Sequence, residues 1–330
     1  MTKNKRNILV FFALLVLLAG SFCGDICFGS VHIALSEWNN PESLYHDILF
    51  NFRLPKAITA ILVGAAISVS GLLMQTMFHN PLAGPYVLGI SSGASLGVAL
   101  FLLGSSFFPF LLLNNSLGLI FSATIGAVCV LLLIMLFSLR LKQAESLLIV
   151  GIMLGQLAGA MVTILQNHSN PDSLKLFIVW SFGSLSSVSW TYMQVLLPLV
   201  LVGLLLVVIL LKPLNALLLG EKYAQSLGFS IRKIHIIIII CVAILAGGTT
   251  AFTGPIAFIG MAVPHIARRL TNSDNHHITF PASILCGAIL LLWCDIACQL
   301  PSNGHVLPIN AVSALVGTPI IIWIIIKRKR

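Results

Sequence analysis

Few side chains in this sequence carry the chemistry that a catalytic or metal site needs. Apart from Asp25, close to the end of the first long apolar segment, Asp295 is the only acidic residue that lies within such a segment or at its end. The sequence contains no HExxH motif, no nucleophile elbow, no carboxylate pair and no G-x-x-x-x-G-K-[ST] nucleotide-binding motif. We therefore expect no catalytic residue in this chain and no nucleotide bound by it.

Histidine and cysteine are the remaining candidate metal ligands. His265 lies in the stretch VPHIARR, where we interpret it as a packing histidine near a helix end rather than as a metal ligand. The pairs Cys23/Cys27 and Cys294/Cys298 are each spaced four residues apart. A thiol relay for a metal is the alternative, but cysteines in membrane segments usually behave as small apolar residues. We expect no metal site and no cofactor in this chain.

Composition indicates a membrane protein. Of the 330 residues, 58% are hydrophobic and 8% are charged, whereas a water-soluble fold has about 25% charged residues. The apolar residues form continuous runs of about 17–25 residues, the length of a membrane-crossing helix, and not the alternating ten-residue segments of a barrel. We predict an all-α, polytopic membrane protein in which residues 1–330 form a single transmembrane domain.

Ten apolar runs account for the predicted spans. They are Ile8–Phe28, Ala57–Phe78, Val87–Leu103, Leu117–Leu139, Leu147–Leu165, Met193–Leu211, Ile234–Ala251, Ile256–Leu270, Phe280–Ala297 and Ile309–Ile326. Two further patches, Phe107–Leu113 and Leu174–Trp190, are interrupted by Pro, Gly or Ser, and we expect helical caps there at the membrane interface. The first run follows three basic residues, as in a signal peptide, but no convincing cleavage site ends it, so we assign it as the first span.

Basic residues set the predicted orientation. With the N-terminus in the cytoplasm, 15 of the 18 Lys and Arg residues fall on the cytoplasmic side, and only Arg53, Lys56 and Lys175 fall outside. Four acids from the outer loops and Asp25 also fall outside. Both termini are therefore predicted to be cytoplasmic. The net charge of +9 is explained by this asymmetry, so we expect no nucleic-acid partner.

The longest cytoplasmic connection is LNALLLGEKYAQSLGFSIRK, residues Leu214–Lys233. Its apolar residues recur at roughly helical spacing, and Gly220 and Gly228 interrupt the pattern. We predict two short amphipathic helices at the inner surface. They could dock a soluble partner or rest on lipid headgroups, and the pattern alone does not decide between these alternatives.

Four stretches of the chain resemble one known family. They are Arg53–Leu100, Leu219–Gly228, Gly254–Leu270 and Leu307–Ile325. They are similar, in order, to the permease subunits of the FecCD/BtuC-like family, the ABC importers for iron-siderophores, haem and cobalamin. The resemblance implies a homodimer of ten-helix subunits in the bacterial cytoplasmic (inner) membrane. It also implies two ABC ATPase subunits, which bind ATP and Mg, and a periplasmic or lipid-anchored substrate-binding protein.

The resemblance also implies roles for particular residues. Within the segment 214–228, coupling to the ATPase is expected at Leu219, Gly220, Glu221, Ala224, Leu227 and Gly228, with Ala224 and Leu227 forming an apolar edge that enters a groove of the ATPase. Docking of the binding protein is expected at Arg53 and Lys56, whose alternative role is anchoring at the membrane interface. The translocation path is expected to include Gln156, Thr163 and Gln166, and the cytoplasmic gate Gln143, Ala144, Glu145 and Ser146.

The source of energy separates two function classes. Ion-driven transporters usually carry ionisable groups inside the membrane, and their scarcity here favours the permease of an ATP-driven importer. The alternative is a self-sufficient secondary transporter of a small solute with a regulatory cytoplasmic loop. Nothing in the sequence separates a ferric siderophore, haem and cobalamin as the substrate.

Overall fold

The computed structural model describes residues 3–29, 43–104, 116–141, 144–300 and 306–328, and within them all regular secondary structure is helical. Twelve helices cover most of these residues. They are α1 (Lys3–Cys27), α2 (Leu44–Met77), α3 (Ile90–Leu102), α4 (Ser116–Arg140), α5 (Ala144–His168), α6 (Pro171–Ser181), α7 (Trp190–Leu217), α8 (Glu221–Ser226), α9 (Ile231–Thr253), α10 (Ile259–Thr271), α11 (His276–Gln299) and α12 (Ile309–Arg328).

Ten of these helices correspond to the ten predicted spans. Seven of the described helices, α1, α2, α4, α5, α7, α9 and α11, are long and apolar enough to cross a membrane alone. The other three, α3, α10 and α12, are shorter or less apolar. Of the two predicted caps, the second coincides in part with the short helix α6, and the first, Phe107–Leu113, lies outside the described residues.

Contacts between helix ends show that the N-terminus of α1 and the C-terminus of α12 lie at the same end of the bundle. Arg6, near the start of α1, donates a hydrogen bond to the carbonyl oxygen of Thr271 at the end of α10 (2.9 Å). Arg269 lies over the Trp323 ring of α12, 4.0 Å from its centroid. A chain that crosses the membrane an even number of times begins and ends on the same side, as this arrangement shows. Following the predicted orientation, we call this basic end the inner end and the opposite end the outer end.

Helix α1 is an integral part of the bundle. Besides the contact of Arg6, the indole nitrogen of Trp293 on α11 donates to the hydroxyl of Ser21 (2.9 Å). The buried positions of α1 are Asn7, Leu14, Ser21 and Asp25, which fall on one helical face. These contacts fit the first spanning helix that we predicted and not a detached leader.

Helix α2 forms the centre of the protein, and most of its side chains are buried. Two of its glycines allow neighbouring backbones to come very close. A Cβ atom on Gly64 would overlap the backbone of Gly287 in α11, and a Cβ atom on Gly71 would overlap that of Gly260 in α10. Because helix association in lipid depends on close packing between small residues, these glycines hold α10 and α11 against α2.

Candidate functional site

The segment between α7 and α9 contains one short helix, and the prediction of two was wrong. Helix α7 continues through Pro213 to Leu217, so the first predicted helix is the last part of α7. Helix α8 is the second. Gly220 before it has a φ of 105° and Gly228 after it a φ of 84°. Both angles strain any residue with a side chain, which explains glycine at the two turns.

The coupling segment, residues 214–228, exposes three large apolar side chains among the polar side chains of Lys222, Gln225 and Ser226. Leu219, Tyr223 and Leu227 are 67%, 46% and 54% exposed, at the inner end of the bundle. The expectation that Ala224 lies with these apolar side chains was wrong, because Ala224 is completely buried among the core residues. Ala224 therefore seats α8 on the bundle, and Tyr223 and Leu227 of the same segment face outward.

Glu221 also faces the protein in part. One carboxyl oxygen of Glu221 lies 3.7 Å from Nε2 of the buried His235, which belongs to α9. About a third of the Glu221 side chain remains exposed. Glu221 therefore connects α8 to α9. It also occupies the first turn of α8, where a negative charge suits the helix dipole.

A set of polar contacts that the sequence analysis missed fixes the N-terminal side of the coupling segment. The side-chain oxygen of Asn215 accepts a hydrogen bond from the backbone of His276 (2.7 Å) and lies 2.9 Å from its Nδ1. Nε2 of the same ring lies 2.9 Å from the hydroxyl of Thr76. Nε2 of His79 lies 2.8 Å from the carbonyl oxygen of Leu217. These contacts connect the end of α7 to α2 and α11.

At the outer end, the two predicted docking cations are buried. Lys56 Nζ lies 2.6 Å from a carboxyl oxygen of Asp295, and only about a tenth of each side chain is exposed. Arg53, which ends a π-helical turn at Ile48–Arg53, donates hydrogen bonds to the carbonyl oxygens of Ile26 (2.8 Å) and Cys27 (3.1 Å). The placement differs from the exposed outer surface that we expected, and the docking role itself stays a prediction.

Asp25 is a fourth member of this outer group, and the sequence analysis had counted it only among the acids on the outer side. It lies in the last turns of α1 and is completely buried. Asp25 faces the carboxyl group of Asp295, with Lys56 and Arg53 within electrostatic reach. The helical spacing of Asn7, Ser21 and Asp25 was the available signal, because it puts these polar residues on one face of α1.

The predicted path residues all lie on α5. Gln156 and Thr163 are exposed and Gln166 is half-buried in the single chain. The hydroxyl of Thr163 donates to the carbonyl oxygen of Gly159 (3.0 Å). An exposed polar face suits either a wet path or a contact with a second copy, and the path assignment stays a prediction.

The predicted gate lies at the start of α5 and is described only in part. Gln143 lies outside the described residues, and Ala144 is the first residue of α5. Glu145 is exposed and Ser146 is half-buried. The gate role stays a prediction. His265 contacts the carbonyl oxygen of Pro81 through Nε2 at 2.7 Å, which agrees with the packing role that we assigned to it.

Comparison with known proteins identifies the family. Residues 12–327 match the FecCD transport family. The chain belongs to this family. The Vitamin B12 import system permease protein BtuC of Shigella boydii is 33% identical over 99% of this chain and 98% of its own length. BtuC of Vibrio cholerae is 36% identical over 89% of this chain and 87% of its own length.

Solved structures agree with the family. A metal-chelate type ABC transporter in an inward-facing conformation has a TM-score of 0.86 and 27% identity, and the match covers 96% of this chain and 98% of that one. PsaBC from Streptococcus pneumoniae shares the fold, with a TM-score of 0.58 at 17% identity. The FecCD protein described here is therefore a multi-pass ABC importer permease of the bacterial inner membrane.

Proposed function

We propose that this FecCD permease forms the membrane path of an ATP-driven importer for a metal chelate, either cobalamin or an iron chelate such as a ferric siderophore or haem. Two copies would form the path, two separate ATPase subunits would bind ATP and Mg, and an outer binding protein would deliver the substrate. The matches to BtuC and to a metal-chelate type transporter support this substrate class.

The coupling segment is the observation that carries the proposal. Leu219, Tyr223 and Leu227 expose their side chains at the inner end, although neighbouring Ala224 is buried. The segment is short and is tied to α7 and α9 on its two sides, so force on it reaches two spanning helices. Large apolar side chains that a rigid support holds exposed among polar ones are typical of a protein-docking surface.

The alternative, a self-sufficient secondary transporter, would need no partner at this surface. Uptake into proteoliposomes separates the two functions, with cobalamin, a ferric siderophore and haem each offered as substrate. We expect uptake only when the ATPase and internal ATP are both present. Uptake that an ion gradient drives in the absence of any ATPase would contradict the proposal.

A pair of variants tests the coupling surface directly. Leu219→Ser with Leu227→Ser should reduce ATPase co-purification and uptake by about tenfold or more, because removal of central apolar contacts costs an interface most. Leu270→Ser is the matched control, since Leu270 is 45% exposed at the same end but lies on α10. If the control variant loses the ATPase equally, or the double variant keeps it, the coupling segment is not the docking surface.

A further inference from the structure

A small polar cavity lies at the inner end of the bundle, between the end of α4, helix α8 and the start of α9. Its volume is about 280 Å³. The polar side chains that line it are two arginines, a histidine, a carboxylate, an amide and a hydroxyl: Arg140, Arg232, His235, Glu221, Gln225 and Ser138. Because two guanidinium groups stand against one carboxylate, the cavity favours an anionic ligand.

His235 is the buried member of this lining. Its side chain is about nine-tenths buried, and its Nε2 has no hydrogen-bond partner among the described residues. The carboxyl oxygen of Glu221 lies 3.7 Å from this nitrogen, which is beyond hydrogen-bond distance. Buried polar atoms in folded proteins nearly always have a hydrogen-bond partner. An oxygen of a bound anion would accept a hydrogen bond from the N–H form of this nitrogen.

The two arginines lie at the level of the inner membrane surface. Arg140 is the last residue of α4 and directly follows the predicted span that ends at Leu139, and Arg232 stands just before the predicted span that begins at Ile234. Arg140 makes no hydrogen bond or ion pair within the described part of the chain. Arg232 donates to the carbonyl oxygen of Leu139 (3.3 Å), which uses one of its five N–H groups. Both guanidinium groups therefore keep donors for the phosphate groups that lie at this depth.

We propose that this cavity binds the phosphate group of an anionic phospholipid of the inner leaflet, such as phosphatidylglycerol. Arg140 and Arg232 hold the phosphate oxygens, and His235 donates to one of them. Leu139, which is 49% exposed beside the arginines, contacts the glycerol and acyl part of the lipid. Free phosphate has the same chemistry, but an apolar neighbour and a position at the membrane boundary favour the lipid. The bound lipid connects the end of α4, just before the predicted gate at 143–146, to α8 of the coupling segment.

The test measures binding of dioleoyl-phosphatidylglycerol to the purified full chain in a non-ionic detergent, by native mass spectrometry at low salt. Dioleoyl-phosphatidylcholine, whose headgroup carries a compensating cation, is the comparison lipid and should bind more weakly. Arg140→Gln with Arg232→Gln should lower the affinity for phosphatidylglycerol by about tenfold or more. Lys212→Gln with Lys233→Gln is the matched control, because it removes two exposed charges at the same end that do not line the cavity. The control should keep its affinity within about twofold of wild type.

A variant with the opposite expected effect is Glu221→Gln, which removes the one carboxylate of the lining and should tighten phosphatidylglycerol binding by about threefold. Weaker binding by Glu221→Gln would contradict an anion in this cavity. Unchanged affinity in the arginine variant, or an equal loss in the lysine control, would overturn the site. Because both arginine side chains are exposed, the arginine variant should keep the wild-type Tm in phosphatidylcholine, which separates lost binding from misfolding.

Inorganic phosphate is the second probe and separates the two sources of the anion. If it raises the Tm of the wild-type protein as much as phosphatidylglycerol does, and the arginine variant loses this rise, the cavity is a site for free phosphate and the lipid assignment is wrong. We expect no such rise with inorganic phosphate. These measurements need neither the ATPase nor transport, so their outcome is independent of the proposed importer function.

Discussion

Removing one partner of the Lys56–Asp295 pair should destabilise the protein far more than removing both. The two atoms are 2.6 Å apart and each side chain is about nine-tenths buried. Breaking such a pair by removing one partner costs about 3–5 kcal/mol, because an uncompensated charge stays buried, whereas replacing both partners by neutral groups is often close to neutral. We therefore expect Lys56→Met and Asp295→Asn each to be harmful, and the double variant to recover most of the loss.

The charges around the Lys56–Asp295 pair also predict which single variant is worse. Without Asp295, Lys56 still has Asp25 within electrostatic reach. Without Lys56, Arg53 is the one cation among the described residues that stays within electrostatic reach of the facing carboxyl groups of Asp25 and Asp295. Lys56→Met should therefore lie near the upper end of the range, about 5 kcal/mol, and Asp295→Asn near the lower end, about 3 kcal/mol.

Thermal unfolding in detergent at a fixed scan rate measures these differences. At about 2.1 cal/mol/K of unfolding entropy per residue, a chain of 330 residues changes its Tm by about 1.4 °C per kcal/mol, so the single variants should lose roughly 4–7 °C. The double variant should unfold within about 2 °C of wild type. Additive losses in the double variant would show that the two side chains do not form a coupled pair. Replacing Arg53 and Lys56 together by Glu is a poorer test, because it would put four carboxyl groups together, with those of Asp25 and Asp295.

Three further predictions concern the inner end. Gly228→Val should abolish uptake without preventing membrane insertion, because Gly228 has a φ of 84°; insertion is checked by protease accessibility of tagged termini. Ala224→Trp should lower the Tm and release the ATPase, because the buried Ala224 site has no room for an indole; a wild-type Tm would contradict its buried position. Asn215→Ala should leave ATP hydrolysis largely intact but reduce uptake, since it frees α7 from His276; equal losses of both activities would point to simple misfolding.

The spanning helices were the easiest part of the fold to predict, because bilayer thickness fixes the length of an apolar run. The end of α7 was harder. Lys212 and Pro213 looked like the boundary of the span, yet the helix continues to Leu217. A lysine near the membrane surface extends its charged group to water, and the helix can continue beneath it. Hydropathy therefore locates the membrane boundary and not the end of the helix.

Side-chain pairing could not be predicted in the same way. The sequence identified Arg53, Lys56 and Asp295 as unusual, but it did not show that Asp295 on α11 meets Lys56 on α2, 239 positions earlier. It also counted Asp25 only among the acids on the outer side, because nothing in the sequence shows which helices Asp25 faces. Ala224 was misplaced for a related reason: in a six-residue helix the apolar pattern is too short to show which face is buried.

Helices α2 and α11 contact each other both at the outer end and beside the coupling segment, the two places that matter for the proposed transport cycle. In the first half of α2, Lys56 pairs with Asp295 near the end of α11. Near the other end of α2, Thr76 contacts His276 at the start of α11, which in turn holds Asn215 beside the coupling segment. The 20 residues from Lys56 to Thr76 span about 30 Å in a helix.

Close packing of glycines joins α2 and α11 between those two points. Because Gly64 and Gly287 bring the backbones together without room for a side chain, the antiparallel pair resists sliding. A change at the Lys56–Asp295 pair and a change at the coupling segment would therefore act on one stiff unit. Such a contiguous packed structure is a physical basis for coupling the two faces of the membrane. Gly287→Leu would separate α2 from α11. In this variant, docking of the binding protein should no longer change the rate of ATP hydrolysis, even where the binding protein and the ATPase both still bind.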